Sequence, residues 1–190
     1  ANVMEIGDLK NDDKVQSVVW IGYPGSRGCD ALADILNGTI TPSGRTVDTW
    51  MNDMTKGPTF ANTYTKKYSN VNSDNALEET YTIEYEEGIY FGDRYYETVW
   101  TDKNNASAGT GDSWYDNAVA YPFGYGLSYA SFEQKIVSHE IENGKIKAVV
   151  SVKNTQGEGG YSGKDAIQLY YSAPYSVGGV EKSAVVLAAF

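Results

Sequence analysis

Near residue 23 the hydrophobic pattern changes period, and few folds accommodate such a change. Val15-Gln16-Ser17-Val18-Val19-Trp20-Ile21-Gly22 is a near-continuous run rich in β-branched residues, the composition of a strand buried on both faces of a parallel sheet. After Tyr23-Pro24-Gly25, residues Ala31, Leu32, Ile35 and Leu36 recur at three- and four-residue steps. This predicts a helix with Ser26 as N-cap and Gly38 as C-cap. Strand, tight turn and helix make the crossover unit of an α/β sheet. An earlier apolar stretch, Val3-Met4-Glu5-Ile6, is separated from it by the polar loop Lys10-Asn11-Asp12-Asp13.

The next region offers few aliphatic residues. Between 51 and 118, Tyr, Asn, Asp, Thr and Gly dominate, which reads as long loops interrupted by a half-exposed strand, Thr80-Tyr81-Thr82-Ile83-Glu84-Tyr85. Asn104 through Asp112 reads as a flexible surface loop. From Phe132 the texture becomes short alternating strands. Lys135–Ile141 and Ile146–Val152 flank Asn143-Gly144, a pair that tolerates the positive φ angles of a two-residue hairpin turn. Two further runs, 166–171 and 184–188, follow, and the domain boundary is placed near Ser131. About 60 residues remain beyond it, fewer than the roughly 100 of a seven-strand sandwich, so the second domain reads as cut short. Ala1 opens directly into an apolar stretch, so the true amino terminus is expected elsewhere.

Charge and composition remove several function classes. With 25 acidic against 15 basic residues the chain carries a net charge of −10, a field that repels phosphate backbones and anionic membrane surfaces. Neither nucleic acid nor membrane is therefore an expected partner, and no apolar run is long enough to span a bilayer. A neutral sugar is indifferent to that field. The single cysteine, Cys29, leaves no internal disulfide or multi-thiolate metal site, and the single histidine, His139, argues against zinc and a Ser-His-Asp hydrolase.

Four blocks, in one order across nearly the whole chain, resemble glycoside hydrolase family 3, the β-glucosidase and β-xylosidase kind. They are Trp20–Gly25 with Ala31–Gly38 and Pro42-Ser43-Gly44-Arg45; Tyr85–Tyr90 with Arg94-Tyr95-Tyr96-Glu97; Tyr121-Pro122-Phe123-Gly124-Tyr125-Gly126-Leu127-Ser128-Tyr129; and Gly163-Lys164-Asp165 with Gln168-Leu169-Tyr170. The resemblance implies a partial open α/β sandwich sheet domain over 1–131, followed by a partial β-sandwich, fibronectin type III-like, over 132–190. It further implies a retaining, exo-acting β-glycosidase that needs no cofactor and cuts terminal sugars from a β-linked oligosaccharide or glycoside. Such chemistry uses a carboxylate nucleophile and a carboxylic acid/base about 5 to 5.5 Å apart. In the family both lie in segments without a counterpart here, so no residue of this chain is expected to be catalytic. The expected partner is the remaining part of the same enzyme, or a second copy.

The residues themselves read mostly as scaffold. Gly25 and Gly28 permit a tight turn, and Arg45 has the planar fork to tie a carboxylate. Glu86 and Glu87 are adjacent on a strand and point to opposite faces, so they cannot converge on one bond, and Glu78 with Glu79 reads the same way. Asp112-Ser113-Trp114-Tyr115-Asp116 is the exception. Trp114 and Tyr115 could stack on sugar rings while Asp112 accepts hydroxyl hydrogen bonds, which makes these three the candidate substrate-binding residues. A free-standing carbohydrate-binding or interaction module would use the same residues and is the alternative reading.

Overall fold

The computed structural model describes residues 5–62, 66–68 and 80–190. Val3, Met4, Glu78 and Glu79 lie outside them. The architecture is mixed α/β, in element order α1 (Gly7–Lys10), α2 (Gly28–Leu36), β1 (Trp50–Met51), β2 (Lys66–Tyr68), β3 (Thr80–Thr82), α3 (Asp93–Ala106), α4 (Thr110–Ala118), β4 (Val119–Tyr121), β5 (Phe132–Glu142), β6 (Lys145–Asn154), β7 (Leu169–Tyr171) and β8 (Val186–Ala189). The chain divides into two units. One comprises 1–16, 46–123 and 169–189; the other comprises 17–45, 124–168 and Phe190. Among the described residues each sheet has two strands: β1-β4, β2-β3, β5-β6 and β7-β8.

The first unit is organised around aromatic residues. Strand β1 pairs antiparallel with β4, Trp50 opposite Tyr121 and Met51 opposite Val119, and Glu5 bridges Met51 in parallel. Ile6, Trp50 and Ala120 bury together beneath Tyr121. On the other side Met51, Tyr96 and Val119 bury against Tyr95, Trp114, Tyr115 and Ala118. The expected loop from Asn104 to Asp112 is instead the tight junction of two helices. Asn104 Oδ1 accepts from the Gly109 and Gly111 amides at 3.1 and 3.0 Å, capping α4 from the end of α3. A Cβ at Gly111 would collide with the Trp100 carbonyl oxygen, so glycine is what lets the helices approach. Aliphatic periodicity is absent because Tyr, Trp and Val fill the buried stripe.

The second unit holds α2 and the long hairpin. Helix α2 forms where the spacing predicts it, but Arg27 rather than Ser26 is the N-cap and no side chain caps it. The preceding run differs from expectation. Residues 15–22 form no strand, and Val18, Val19, Trp20 and Ile21 are exposed, Trp20 at 54%. A parallel strand exists only between neighbours it can pair with, and the described residues supply none.

The hairpin bears out the Asn143-Gly144 turn, with φ of 52° and 74° at the two residues. Its apolar residues do not alternate cleanly, since Ile136 and Ile141 are an odd number of positions apart. A register shift between Ile136 and Ser138 absorbs the extra residue. Ile136 then lies opposite Val150 and Ile141 opposite Ile146, which puts Phe132, Ile136, Ile141, Ile146, Ala148, Val150 and Val152 on one face. The other face sets Glu133 opposite Lys153, Glu140 opposite Lys147 and Glu142 opposite Lys145.

Arg45 does tie a carboxylate. Its Nη2 meets Asp165 Oδ1 at 2.9 Å with both side chains largely buried, 16% and 14% exposed. Gln134 Nε2 donates to Asp165 Oδ2 at 2.7 Å. The Gln134 bond first, and Arg45 with it, holds the Asp165 carboxyl below the usual range. Removing one member of a fully buried pair costs 3–5 kcal/mol; the residual exposure here lowers the expectation for Arg45→Met to about 2 kcal/mol. Urea unfolding followed by circular dichroism measures it, and a change within error would show the pair to be superficial.

Candidate functional site

The three candidate sugar contacts lie on α4, not on a loop, and the helix sends them to different places. Trp114 stacks on Tyr96 with ring centroids 6.0 Å apart and planes at 28°, meets Tyr95 edge-on at 6.3 Å, and has Lys103 Nζ 6.0 Å from its ring. It also lines a cavity of about 170 Å³ with Tyr95, Tyr96, Asp53, Lys56 and Asn117. Tyr115 packs on the same cluster but does not line the cavity, and it donates its hydroxyl to Glu97 Oε1 at 2.6 Å. Asp112 accepts from Trp100 Nε1 at 2.7 Å and from Asn104 Nδ2 at 3.3 Å, tying α4 back to α3. Of the three, Trp114 alone lines this cavity.

Two residues the sequence did not single out complete that cavity's polar rim. Asp53 accepts from the Thr55 amide at 3.0 Å, capping a 3-10 turn at Met54–Lys56, and meets Lys56 Nζ at 3.0 Å. The Thr55 hydroxyl, then Lys56, keep the exposed Asp53 carboxyl below its ordinary range. Asp53 followed by Thr55 is an Asx-turn signal that could have been read. Nothing near it in sequence points to the cavity, because Trp114 arrives from another segment. An aromatic wall with an acceptor and a donor at its mouth is the arrangement that holds a polar ring against an apolar face.

Helix α3 carries two half-buried acids close to the Tyr115 hydroxyl. Asp93 and Glu97 sit one turn apart on α3, where like charges repel. Burial pushes both carboxyls up; for Glu97 the Tyr115 hydrogen bond opposes the shift and the Asp93 charge adds to it. Burial and the Glu97 bond push the Tyr115 phenol up in turn, and burial raises Tyr96 to about 12. Neither acid lines the Trp114 cavity. Glu87, one of the adjacent pair, accepts from Asn62 Nδ2 at 2.8 Å, a structural bond. Cys29 and His139 are exposed. Among the described residues no cluster of His, Cys, Asp or Glu could hold a metal, and no helix is long and apolar enough to cross a membrane.

A raised carboxyl binds its proton more tightly in the folded chain than in the unfolded one. Asp93 and Glu97 therefore contribute stability that is complete below the ordinary carboxylate range and is lost as pH rises through their raised values. Glu97→Gln keeps an acceptor for Tyr115 without the charge. Its Tm should exceed the parent's at pH 7, with the gap closing toward pH of about 4; a gap independent of pH would mean that Glu97 is not the group responsible. Tyr115→Phe should cost about 1 kcal/mol at neutral pH, the low end for stranding a half-buried acceptor.

Residues 1–129 match the Glycosyl hydrolase family 3 C-terminal domain. β-Glucosidase A of Butyrivibrio fibrisolvens is 32% identical over 99% of this chain and 21% of its own length. A crystal structure of β-glucosidase from Paenibacillus barengoltzii superposes with a TM-score of 0.60 at 36% identity, covering 84% of this chain and 14% of that one. The Kluyveromyces marxianus β-glucosidase, solved in complex with glucose, gives 0.60 at 30% identity over 84% and 15%. This chain thus spans about a fifth or less of these relatives. With more than half of its residues matching the family's C-terminal domain in the order in which the relatives carry them, the chain belongs to glycosyl hydrolase family 3.

Proposed function

We propose that this chain is a non-catalytic part of a retaining β-glucosidase-type enzyme, acting on terminal sugars of β-linked glycosides and supplying one wall of the sugar-binding cleft. The observation that carries the reading is the B. fibrisolvens alignment, which runs through 99% of the chain inside a longer β-glucosidase. Trp114 is the residue best placed to meet a sugar, because its ring closes a cavity rimmed by Asp53 and Lys56. Tyr115 and Asp112 fix the helix that presents it. Asp93 and Glu97 are half-buried carboxylates, but they sit one turn apart on one helix rather than opposing each other across a cavity. A displacement at a glycosidic bond needs acids on opposite sides.

The division near Ser131 into an α/β part and a fibronectin type III-like part belongs to the same reading. It is supported by the amphipathic hairpin, since a ladder with one apolar and one charged face is a half that a second sheet completes. Ile136, Ile141 and Ile146 on that apolar face are 59%, 79% and 67% exposed. The partner that covers such surface is the rest of the enzyme, or a second copy.

Three measurements test the proposal. The pure chain should give no turnover of an aryl β-glucoside; a clear rate would refute the assignment. In the complete enzyme Trp114→Ala should raise KM about tenfold with kcat little changed, and an unchanged KM removes Trp114 from the cleft. Size-exclusion chromatography of the chain alone should show self-association, and a stable monomer would count against the uncovered faces.

A further inference from the structure

Within the second unit lies a crevice separate from the Trp114 cavity. It is an open crevice of about 560 Å³, within the roughly 300–1,000 Å³ usual for small-molecule sites. Two segments face each other across it. The turn after α2 contributes Thr39, Thr41 and Ser43, and the loop after β6 contributes Tyr161, Ser162 and Lys164. The lining holds no carboxylate, although the chain carries 25 acidic residues.

Bonds outside the crevice hold its walls. The Tyr161 amide donates to Gln156 Oε1 at 2.7 Å, and Asn154 Nδ2 donates to the Tyr161 carbonyl at 2.8 Å. The Tyr161 ring packs on Tyr129 at 5.3 Å, and the Tyr129 hydroxyl donates to the Ile35 carbonyl at 2.8 Å, just before the opposite wall. At the far end the Arg45–Asp165 pair joins the residues that follow Ser43 and Lys164. A ligand would find the walls already in place, with little ordering cost.

The groups presented define what fits. Its lining includes five hydroxyls, those of Thr39, Thr41, Ser43, Tyr161 and Ser162, which both donate and accept, one ammonium that donates, and the half-exposed Tyr161 ring with its apolar face. A pyranose carries the complement, a ring of hydroxyls around a C–H face. An anion would meet one ammonium against a chain of net charge −10, whereas a neutral sugar meets no such penalty. We propose that this crevice is a second, non-catalytic saccharide site that takes one or two neutral pyranose units. That these are β-linked glucosyl units rests on the functional reading above; the site itself does not.

The test is an amide NMR titration of the ¹⁵N-labelled chain with cellobiose. Saturable shifts should appear at residues 39–43 and 160–164. Tyr161→Ala should weaken binding about tenfold, Tyr161→Phe should leave it within about twofold because the ring remains, and Ser162→Trp should abolish it by filling the space. Spectral dispersion reports folding in each variant. Trp114→Ala should change nothing at these amides, which separates this site from the cleft wall. Binding that follows maltose but not cellobiose would keep the site and remove the β-glucosyl reading. A dispersed spectrum without saturable shifts for either sugar would overturn the proposal, as would tighter binding of inorganic phosphate at the same amides.

Discussion

A two-stranded ladder cannot bury an apolar face by itself, and every sheet among the described residues has two strands. Stability must therefore come from long-range contacts between segments that no ladder joins. In the first unit these contacts are aromatic, with Tyr96 buried between Met51 and Trp114 and its hydroxyl donating to the Met51 sulfur at 3.3 Å. In the second unit the contact is ionic, and Arg45 reaches across 120 positions of sequence to Asp165. The thin sheets also explain the apolar surface that remains. The apolar face of the hairpin and the β-branched run at 15–22 both keep exposed apolar residues, Ile141 and Val19 among them.

The same constraint shapes the candidate sites. Each cavity lies where two segments distant in sequence are clamped, so its lining is set by the clamp rather than by a contiguous motif. Asp112 and Tyr115 spend their polar groups on α3, and this fixes α4 closely enough for Trp114 to face the cavity. The cost is a pair of half-buried carboxylates, Asp93 and Glu97, which ties the stability of that helix pair to pH. The crevice beside Tyr161 follows the same logic, with the Arg45–Asp165 pair and Tyr129 standing outside the space they define.

Much of the local structure was legible because it depends on neighbours in sequence. Helix α2 follows from its three- and four-residue spacing, and the β5-β6 turn from Asn143-Gly144, whose positive φ angles few other pairs accept. Arg45 could be read as seeking a carboxylate, but not which one. Helices α3 and α4 were hidden because their buried stripe is Tyr and Trp in a polar background, and the capping bond from Asn104 acts across a turn. The bulge near Val137 could have been inferred from the odd spacing of Ile136 and Ile141, since a strand alternates with period two.

Sequence alone determined the family, the hairpin and the helix after Pro24, whereas Glu86 and Glu87, read as adjacent on a strand, lie in a turn. Each of those first three is a matter of local period, turn geometry or ordered motifs, which the chain carries without help from distant residues. The tertiary structure alone decided that Trp114 lines the cavity beside Asp53 and Lys56 while Tyr115 and Asp112 do not, that Asp165 answers Arg45, and that residues 15–22 form no strand. Those outcomes depend on which remote segments pack together, and side-chain direction on a helix or strand becomes meaningful only once its packing partner is in place.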